Sequence, residues 1–367
     1  MSMLGPPGMT AFGVYIHIPF CAKRCDYCAF ATWTDRDHLQ KAYVSAVVTE
    51  IRRAVNQGLP VATSVFFGGG TPSRLPAEDL MRILEAIPLA RGAEITVECN
   101  PDTVSGTMLA AYRSGGVSRI SLGVQSMVAD VLAALGRSHD PANVTSSVEL
   151  VRAAGFSNFN LDLIYGGAGE SVQDWAKTLE AAAALDPPHV SAYALTVEAG
   201  TPLASDPTRH PDDDDQADKY DLADDVFKHR GLTNYEISNW ARPGHECRHN
   251  WLYWQQGDYR GFGCAAHSHD HGRRFWNVRT PERYIALVDD GNDPMQGEER
   301  LDGPAMALEA AQLQLRTRAG VDWALVGEKD RLEFLEAGLV TEIGNRLVLT
   351  VRGRMMANEV AVRLLTP

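Results

Sequence analysis

The sequence predicts an α/β chain: an incomplete (β/α)6 barrel followed by a smaller module of helices and a β-hairpin. Three observations predict it. Short β-branched runs alternate with longer amphipathic stretches up to about residue 230, motif-like polar residues collect at one end of successive runs, and the composition changes near residues 232 and 301. Strict alternation of strand and helix signals implies parallel strands joined by right-handed crossovers. Six units fall short of the eight that close a barrel, so a crescent is expected, with its site at the C-terminal ends of the strands. A doubly wound sheet satisfies the same pattern.

The strand signals fall at 13–19, 64–67, 94–98, 119–124, 158–164 and 190–196. Helical patterns fall at 38–55, 75–87, 107–114, 144–153, 172–184 and 217–229. The four aspartates Asp212 to Asp215 precede the last of these and read as a helix N-terminus, where free N–H groups and the macrodipole favour anions. Residues 1–231 are therefore read as the barrel. Residues 232–300, dense in Trp, Tyr, His and Gly with few helix cues, are read as an extension covering it. Residues 301–367 carry a helix through Leu315, a helix over 328–337, a hairpin over 339–351 turning at Gly344-Asn345, and a helix over 355–365. This last piece resembles a winged-helix module. It is acidic (Glu328, Glu333, Glu336, Glu342) and lacks a basic stripe, so a packing or partner role is expected and nucleic acid is not.

Composition narrows the class. A net charge of −13 over 367 residues creates no global field for nucleic acid or anionic membranes. Six cysteines in so long a chain make no disulfide framework and point to a reducing compartment. Residues 1–10 lack the charged and apolar regions of a signal peptide, and no apolar run is long enough to span a bilayer, so a cytoplasmic protein is expected.

The strongest chemical signal is Cys21, Cys25 and Cys28, in C-x3-C-x2-C spacing directly after the first strand run. Thiolates hold iron–sulfur clusters, and a four-iron cluster normally takes four cysteines. Three leave one iron open for a ligand. A structural zinc site or a disulfide pair remains the alternative, though zinc usually takes paired Cys-x2-Cys groups or added histidines. One unit later, Gly68-Gly69-Gly70-Thr71-Pro72 lets backbone approach a ligand closely. It lacks the Gly-Lys-Ser/Thr ending of a P-loop and also reads as a tight strand-to-helix turn. Glu98, Gln125 and Asp162 end later strand runs as hydrogen-bonding candidates, and Arg137 is a bidentate partner for a carboxylate. Each alone also reads as an ordinary strand-end polar group.

Together with Tyr15-Ile16-His17-Ile18-Pro19-Phe20-Cys21, these phrases resemble the radical S-adenosylmethionine (SAM) superfamily, in its oxygen-independent coproporphyrinogen III oxidase-like group, from Val14 to about Leu365. The resemblance implies a [4Fe-4S] cluster on Cys21, Cys25 and Cys28, with SAM on its open iron. It implies that Tyr15, Tyr27, Gly69, Gly70, Thr71, Glu98, Gln125, Arg137 and Asp162 hold SAM. Two features separate branches. The oxidase branch extends its motif to a fourth cysteine, and Phe30 stands at that position here. His249-Asn250-Trp251-Leu252-Tyr253-Trp254 instead resembles the H-N-x-x-Y-W element of HemW-type heme chaperones.

That branch implies heme as cargo, delivery to acceptor apoproteins, plausibly respiratory ones, and membrane contact only through such acceptors. The oxidase activity is the alternative. Heme takes a His or Cys axial ligand and an apolar or aromatic wall. His249 is the first candidate, with Cys247, Cys264, His267 and His17 behind it; from residue chemistry alone, His249 also reads as a hydrogen-bonded structural residue. His267, His269 and His271 read as solvated loop residues in preference to a metal-binding loop.

Overall fold

The computed structural model describes residues 11–364 except Ser138. The expectations for residues 1–10, for Ser138 and for the helix end at 365 lie outside the described residues. Six strands, β1 (Gly13–Ile18), β2 (Ala62–Gly69), β3 (Leu89–Cys99), β4 (Arg119–Gln125), β5 (Phe159–Tyr165) and β6 (His189–Ala194), run side by side in chain order. Every neighbouring pair is parallel. The crossover helices are Gln40–Asn56, Ala77–Glu85, Gly106–Ser114, Pro141–Ala153 and Val172–Ala184, with Asp213–His229 after β6. The last begins where the aspartates predict, for the Asp212 side chain accepts the Asp215 N–H at 2.9 Å.

Residue alternation explains why the sheet curves around one face. Val14, Ile16 and Ile18 of β1 are fully buried in the core that contains Tyr43, Val44 and Val47 of the first helix. Tyr15 and His17, at the alternate positions, lie on the other face, where Tyr15 stacks on Phe66. The first four helices touch in chain order, the last two touch each other, and all six bury side chains in the same core, so they line a single face, as in a partial barrel rather than a doubly wound sheet.

The 232–300 segment belongs to the same sheet. β7 (Thr233–Glu236) and β8 (Asn239–Ala241) extend it antiparallel beyond β6. β9 (Tyr259–Phe262) adds to β1 in parallel, followed by β10 (His267–Asp270), β11 (Arg273–Asn277) and β12 (Met295–Arg300). The result is a twelve-stranded mixed sheet. The outermost strand is protected by charge: Arg273 and Arg274 of β11 pair with Glu298 and Glu299 of β12. His267 and His269 are thus strand residues and His271 sits in the tight turn after them, which corrects the loop expectation. The helix Arg248–Trp254 was not signalled by the aromatic-rich sequence.

Residues 301–364 form helices Gly303–Leu315 and Glu328–Glu336, a three-stranded sheet of β13 (Val321–Asp322), β14 (Val340–Ile343) and β15 (Arg346–Leu349), and two short helices, Val351–Met355 and Ala357–Ala361, where the sequence predicts a single helix over 355–365. The hairpin turns at Gly344-Asn345, with Gly344 at φ +63°. A separate core of Leu315, Val321, Phe334, Val340, Leu347 and Val360 holds these elements together. Among the described residues, no helix is long and apolar enough to cross a membrane.

Candidate functional site

The cysteine loop leaves the C-terminal end of β1 and is tied at its neck. Cys21 N–H donates to the Trp33 carbonyl at 3.0 Å, and Trp33 N–H donates to Pro19 at 2.8 Å. Cys28 N–H closes an inner turn on the Cys25 carbonyl at 3.2 Å. Asp26 anchors the tip: its carbonyl accepts Leu203 N–H at 3.0 Å, and its carboxylate accepts Arg209 Nη2 at 2.8 Å. All six cysteines are free thiols, so the disulfide alternative is not realised. Burial raises the Cys21 thiol above its ordinary value, and the proximity of Cys28 and Cys25 raises it further. The three thiols sit on one short loop, and binding a metal there requires displacing their protons.

The glycine run ends β2 against this loop. Gly70 N–H donates to the Ile18 carbonyl at 2.7 Å, and Thr71 N–H donates to the Phe20 carbonyl at 2.9 Å. A Cβ on Gly69 (φ +110°) would stand 2.5 Å from the His17 ring, and one on Gly70 would stand 3.0 Å from Cys21 Sγ. The Thr71 hydroxyl donates to that same sulfur at 3.8 Å. Only glycine leaves this cradle open.

Three further strand ends complete the mouth. At β4, Gln125 adopts φ +64°, uncommon for a residue with a side chain and a mark of a locally over-determined site. Arg137 bridges the two halves: Nη2 donates to the Gly123 carbonyl at 2.9 Å and Nη1 to Cys25 Sγ at 3.5 Å. Asp162 of β5 accepts Ser121 Oγ and Asn160 Nδ2, both at 2.8 Å. Burial, then the charge of Asp162, pushes Glu98 up to about 8. Burial also raises Asp162. Beneath both carboxylates lies Arg119, 2% exposed, whose positive charge opposes these shifts. Sequence reasoning passed over Arg119 because it begins a strand run and nothing local marks it as interior. Tyr27 packs in the apolar cluster of Val131, Leu135 and Ile164. The Tyr15 hydroxyl meets His17 Nδ1 at 3.2 Å.

The structure therefore brings Cys21, Cys25, Cys28, Tyr27, Gly69, Gly70, Thr71, Glu98, Gln125, Arg137 and Asp162 to the C-terminal half of the strands and the loops that follow them, with Tyr15 earlier on β1 facing the same side as Glu98. His249 is elsewhere. Its helix plugs the opposite end of the barrel, beside the starts of β1 and β2. His249 Nδ1 bonds Ser64 Oγ at 2.9 Å and Nε2 bonds Tyr253 Oη at 2.8 Å, while its ring stacks on Phe66 at 5.4 Å. Burial pushes it down to about 3, so it is neutral, with both ring nitrogens engaged. A continuous ladder of rings, Tyr253, His249, Phe66, Tyr15 and His17, runs from this plug to the mouth.

The other histidine and cysteine candidates separate cleanly. Cys247 and Cys264 are fully buried, their thiols pushed up to about 12 by burial, against Glu94 and Tyr43 respectively. His17 spends both nitrogens, on Tyr15 and on the Ala31 carbonyl at 2.9 Å. His17 and His267 both line an open cavity of about 520 Å³ beside the cysteine loop, and of the two only His267 has no hydrogen bond on its ring among the described residues.

The domain model of the Radical SAM superfamily matches residues 15–182, the stretch that carries this mouth. That domain implies a [4Fe-4S] cluster and SAM as its cofactors, and the free cysteine trio and the glycine cradle fit both. The chain is 40% identical to the heme chaperone HemW of Mycobacterium tuberculosis (strain H37Rv) over 99% of its own length and 97% of that protein. It is 33% identical to the heme chaperone HemW of Bacillus subtilis (strain 168), over 94% and 97% of the two chains. The structure of coproporphyrinogen III oxidase (HemN) from Escherichia coli superposes with a TM-score of 0.82, covering 98% of this chain and 91% of that one at 22% identity, a likeness of fold. The chain belongs to the HemW heme chaperone family, a branch of the radical SAM superfamily.

Proposed function

We propose that this protein is a heme chaperone that carries a [4Fe-4S] cluster and SAM, captures heme and delivers it to acceptor apoproteins of the respiratory kind. The observation that carries the reading is the full-length similarity, at 40% identity, to a curated heme chaperone. Phe30 supports it, because it occupies the position of the oxidase branch's fourth cysteine and is 65% exposed beside the cavity.

Cys21, Cys25 and Cys28 would hold the cluster, which when bound supplies an open iron for the amino and carboxylate groups of SAM. The remaining work falls to the chain. Gly69, Gly70 and Thr71 present backbone groups to the amino end, and Arg137 offers its guanidinium to the carboxylate. Glu98, Gln125 and Asp162 present acceptors and donors to ribose hydroxyls, with Tyr15 and Tyr27 as aromatic walls. The three-part division at residues 231 and 300 assigns these steps to the barrel and leaves 301–367 as a packing or partner module.

His249 remains heme-associated in this reading, acting through the ring ladder. Direct iron ligation by it would first break its bond to Ser64 or to Tyr253. The test is transfer of hemin from cluster-loaded protein to an apo-acceptor, with the His249→Ala variant alongside. Transfer by the wild type and weakened transfer by the variant, at equal iron content, support the proposal. Formation of protoporphyrinogen from coproporphyrinogen III with SAM and a low-potential reductant would make the protein an oxidase instead.

A further inference from the structure

The cavity beside the cysteine loop shares only Tyr15 with the residues assigned to SAM. Its volume, about 520 Å³, lies within the range of small-molecule sites. One wall is Ala29, Phe30 and Ala31, immediately after Cys28; the opposite wall is the β10–β11 hairpin. There His267 and Trp276 are cross-strand partners, their rings stacked at 5.7 Å and 26°. The Tyr259 ring, edge-on to Tyr253 at 4.6 Å, adds aromatic surface. Arg279 lines the same cavity, exposed, with no ion pair among the described residues.

Among the described residues the His267 imidazole makes no hydrogen bond. That distinguishes it from His17 and His249, whose nitrogens are all engaged. Burial lowers its pKa, so at neutral pH the ring is an unprotonated donor. An iron porphyrin is a flat apolar disc with an open axial position and two carboxylates at one edge. Free imidazole, aromatic walls and an unpaired guanidinium are the complementary groups.

We propose that this cavity is the heme seat, with His267 the axial ligand held in orientation by Trp276, Phe30 an apolar cover, and Arg279 the partner of a propionate. The assignment rests on the heme-chaperone reading and gives that cargo a place. It also sets heme against the loop that carries Cys28, so cargo and cluster share one wall.

Hemin titration of the anaerobically reconstituted full chain, followed by the Soret band and by resonance Raman, tests it. The wild type is expected to show an imidazole-ligated spectrum. His267→Ala should lose that spectrum and weaken binding by about tenfold or more, the equivalent of one coordination contact on the affinity scale, and added free imidazole should restore it. Arg279→Gln should keep the spectrum and weaken binding about three- to tenfold, as expected for a single partly exposed ion pair. His271→Ala, an exposed histidine paired with Asp270 and Asp258, should titrate as the wild type. A His267→Ala protein with wild-type spectrum and affinity overturns the seat and leaves the chaperone reading standing. A wild type that binds no hemin overturns the chaperone reading and the seat together.

Discussion

Adding one methyl group at Gly70 should disable the site without touching a ligand. Gly70 is not in the left-handed region of backbone space, so the effect of Gly70→Ala is steric rather than torsional. Its Cβ would stand 2.8 Å from the Phe20 carbonyl, 2.9 Å from that of Ile18 and 3.0 Å from Cys21 Sγ. The two carbonyls already accept Thr71 and Gly70 N–H groups, so the methyl cannot be relieved by a rotamer change. Either the ends of β1 and β2 part, or the neck of the cysteine loop shifts. Overpacking of this kind costs about 1–3 kcal/mol. Expressed as ligand affinity, that range is about fivefold to 150-fold. Iron and sulfide content after reconstitution, then equilibrium dialysis with SAM, measure the outcome. Gly169→Ala is the control: at φ +75° with nothing within 4 Å of a Cβ, it carries backbone strain alone, about 1 kcal/mol, and should load iron normally. A Gly70→Ala protein with full iron content and wild-type SAM affinity would refute the argument that the cradle is sterically closed to every other residue.

Arg137→Lys keeps the charge but loses the fork that spans Gly123 and Cys25, so SAM affinity should fall about tenfold by dialysis while iron content holds. Lys219 is fully buried between Glu170 and Asp215, and Lys219→Met strands the Glu170 carboxylate; a loss of about 3–5 kcal/mol in denaturant unfolding is expected, partly recovered by adding Glu170→Gln. His249, held down to about 3 from an ordinary 6.5, contributes stability that is complete above pH 6.5 and drains as pH falls toward 3. Its replacement by Gln should flatten the acid limb of Tm against pH. Glu236, pushed up to about 8 by burial, acts in the opposite sense: its contribution is complete below pH 4.5 and is lost as pH rises through about 8. Glu236→Gln should therefore flatten the alkaline limb, and an unchanged limb would refute that burial.

The six barrel strands were legible because each is buried and β-branched, and their helices because apolar positions recur at helical spacing. Val172–Ala184 matches its expected bounds at both ends. β3 starts at Leu89 rather than near residue 94, because the Gly92 turn (φ +75°) breaks the alternation that marks a strand. β12, Met-Gln-Gly-Glu-Glu-Arg, is an exposed edge with no apolar face and so no periodic signal at all. The short strands β9 and β10 mix Gly and His with aromatics, and the pairing of β9 is set by distant β1.

The site divides in the same way. The strand-end polar groups enter the expected site only through the family resemblance; the cysteine trio and the glycine run are readable from spacing, since one loop or one βα turn holds each. Arg119, Trp276 and Arg279 are not, because each acquires its setting from partners far along the chain. The same holds for the histidines. In the sequence His249 stands first as a heme-associated residue, with His17 and His267 behind it. Only the packed structure distinguishes them, because a buried ring must satisfy its nitrogens within the protein, as His17 and His249 do, whereas the cavity wall leaves the His267 ring without a hydrogen bond.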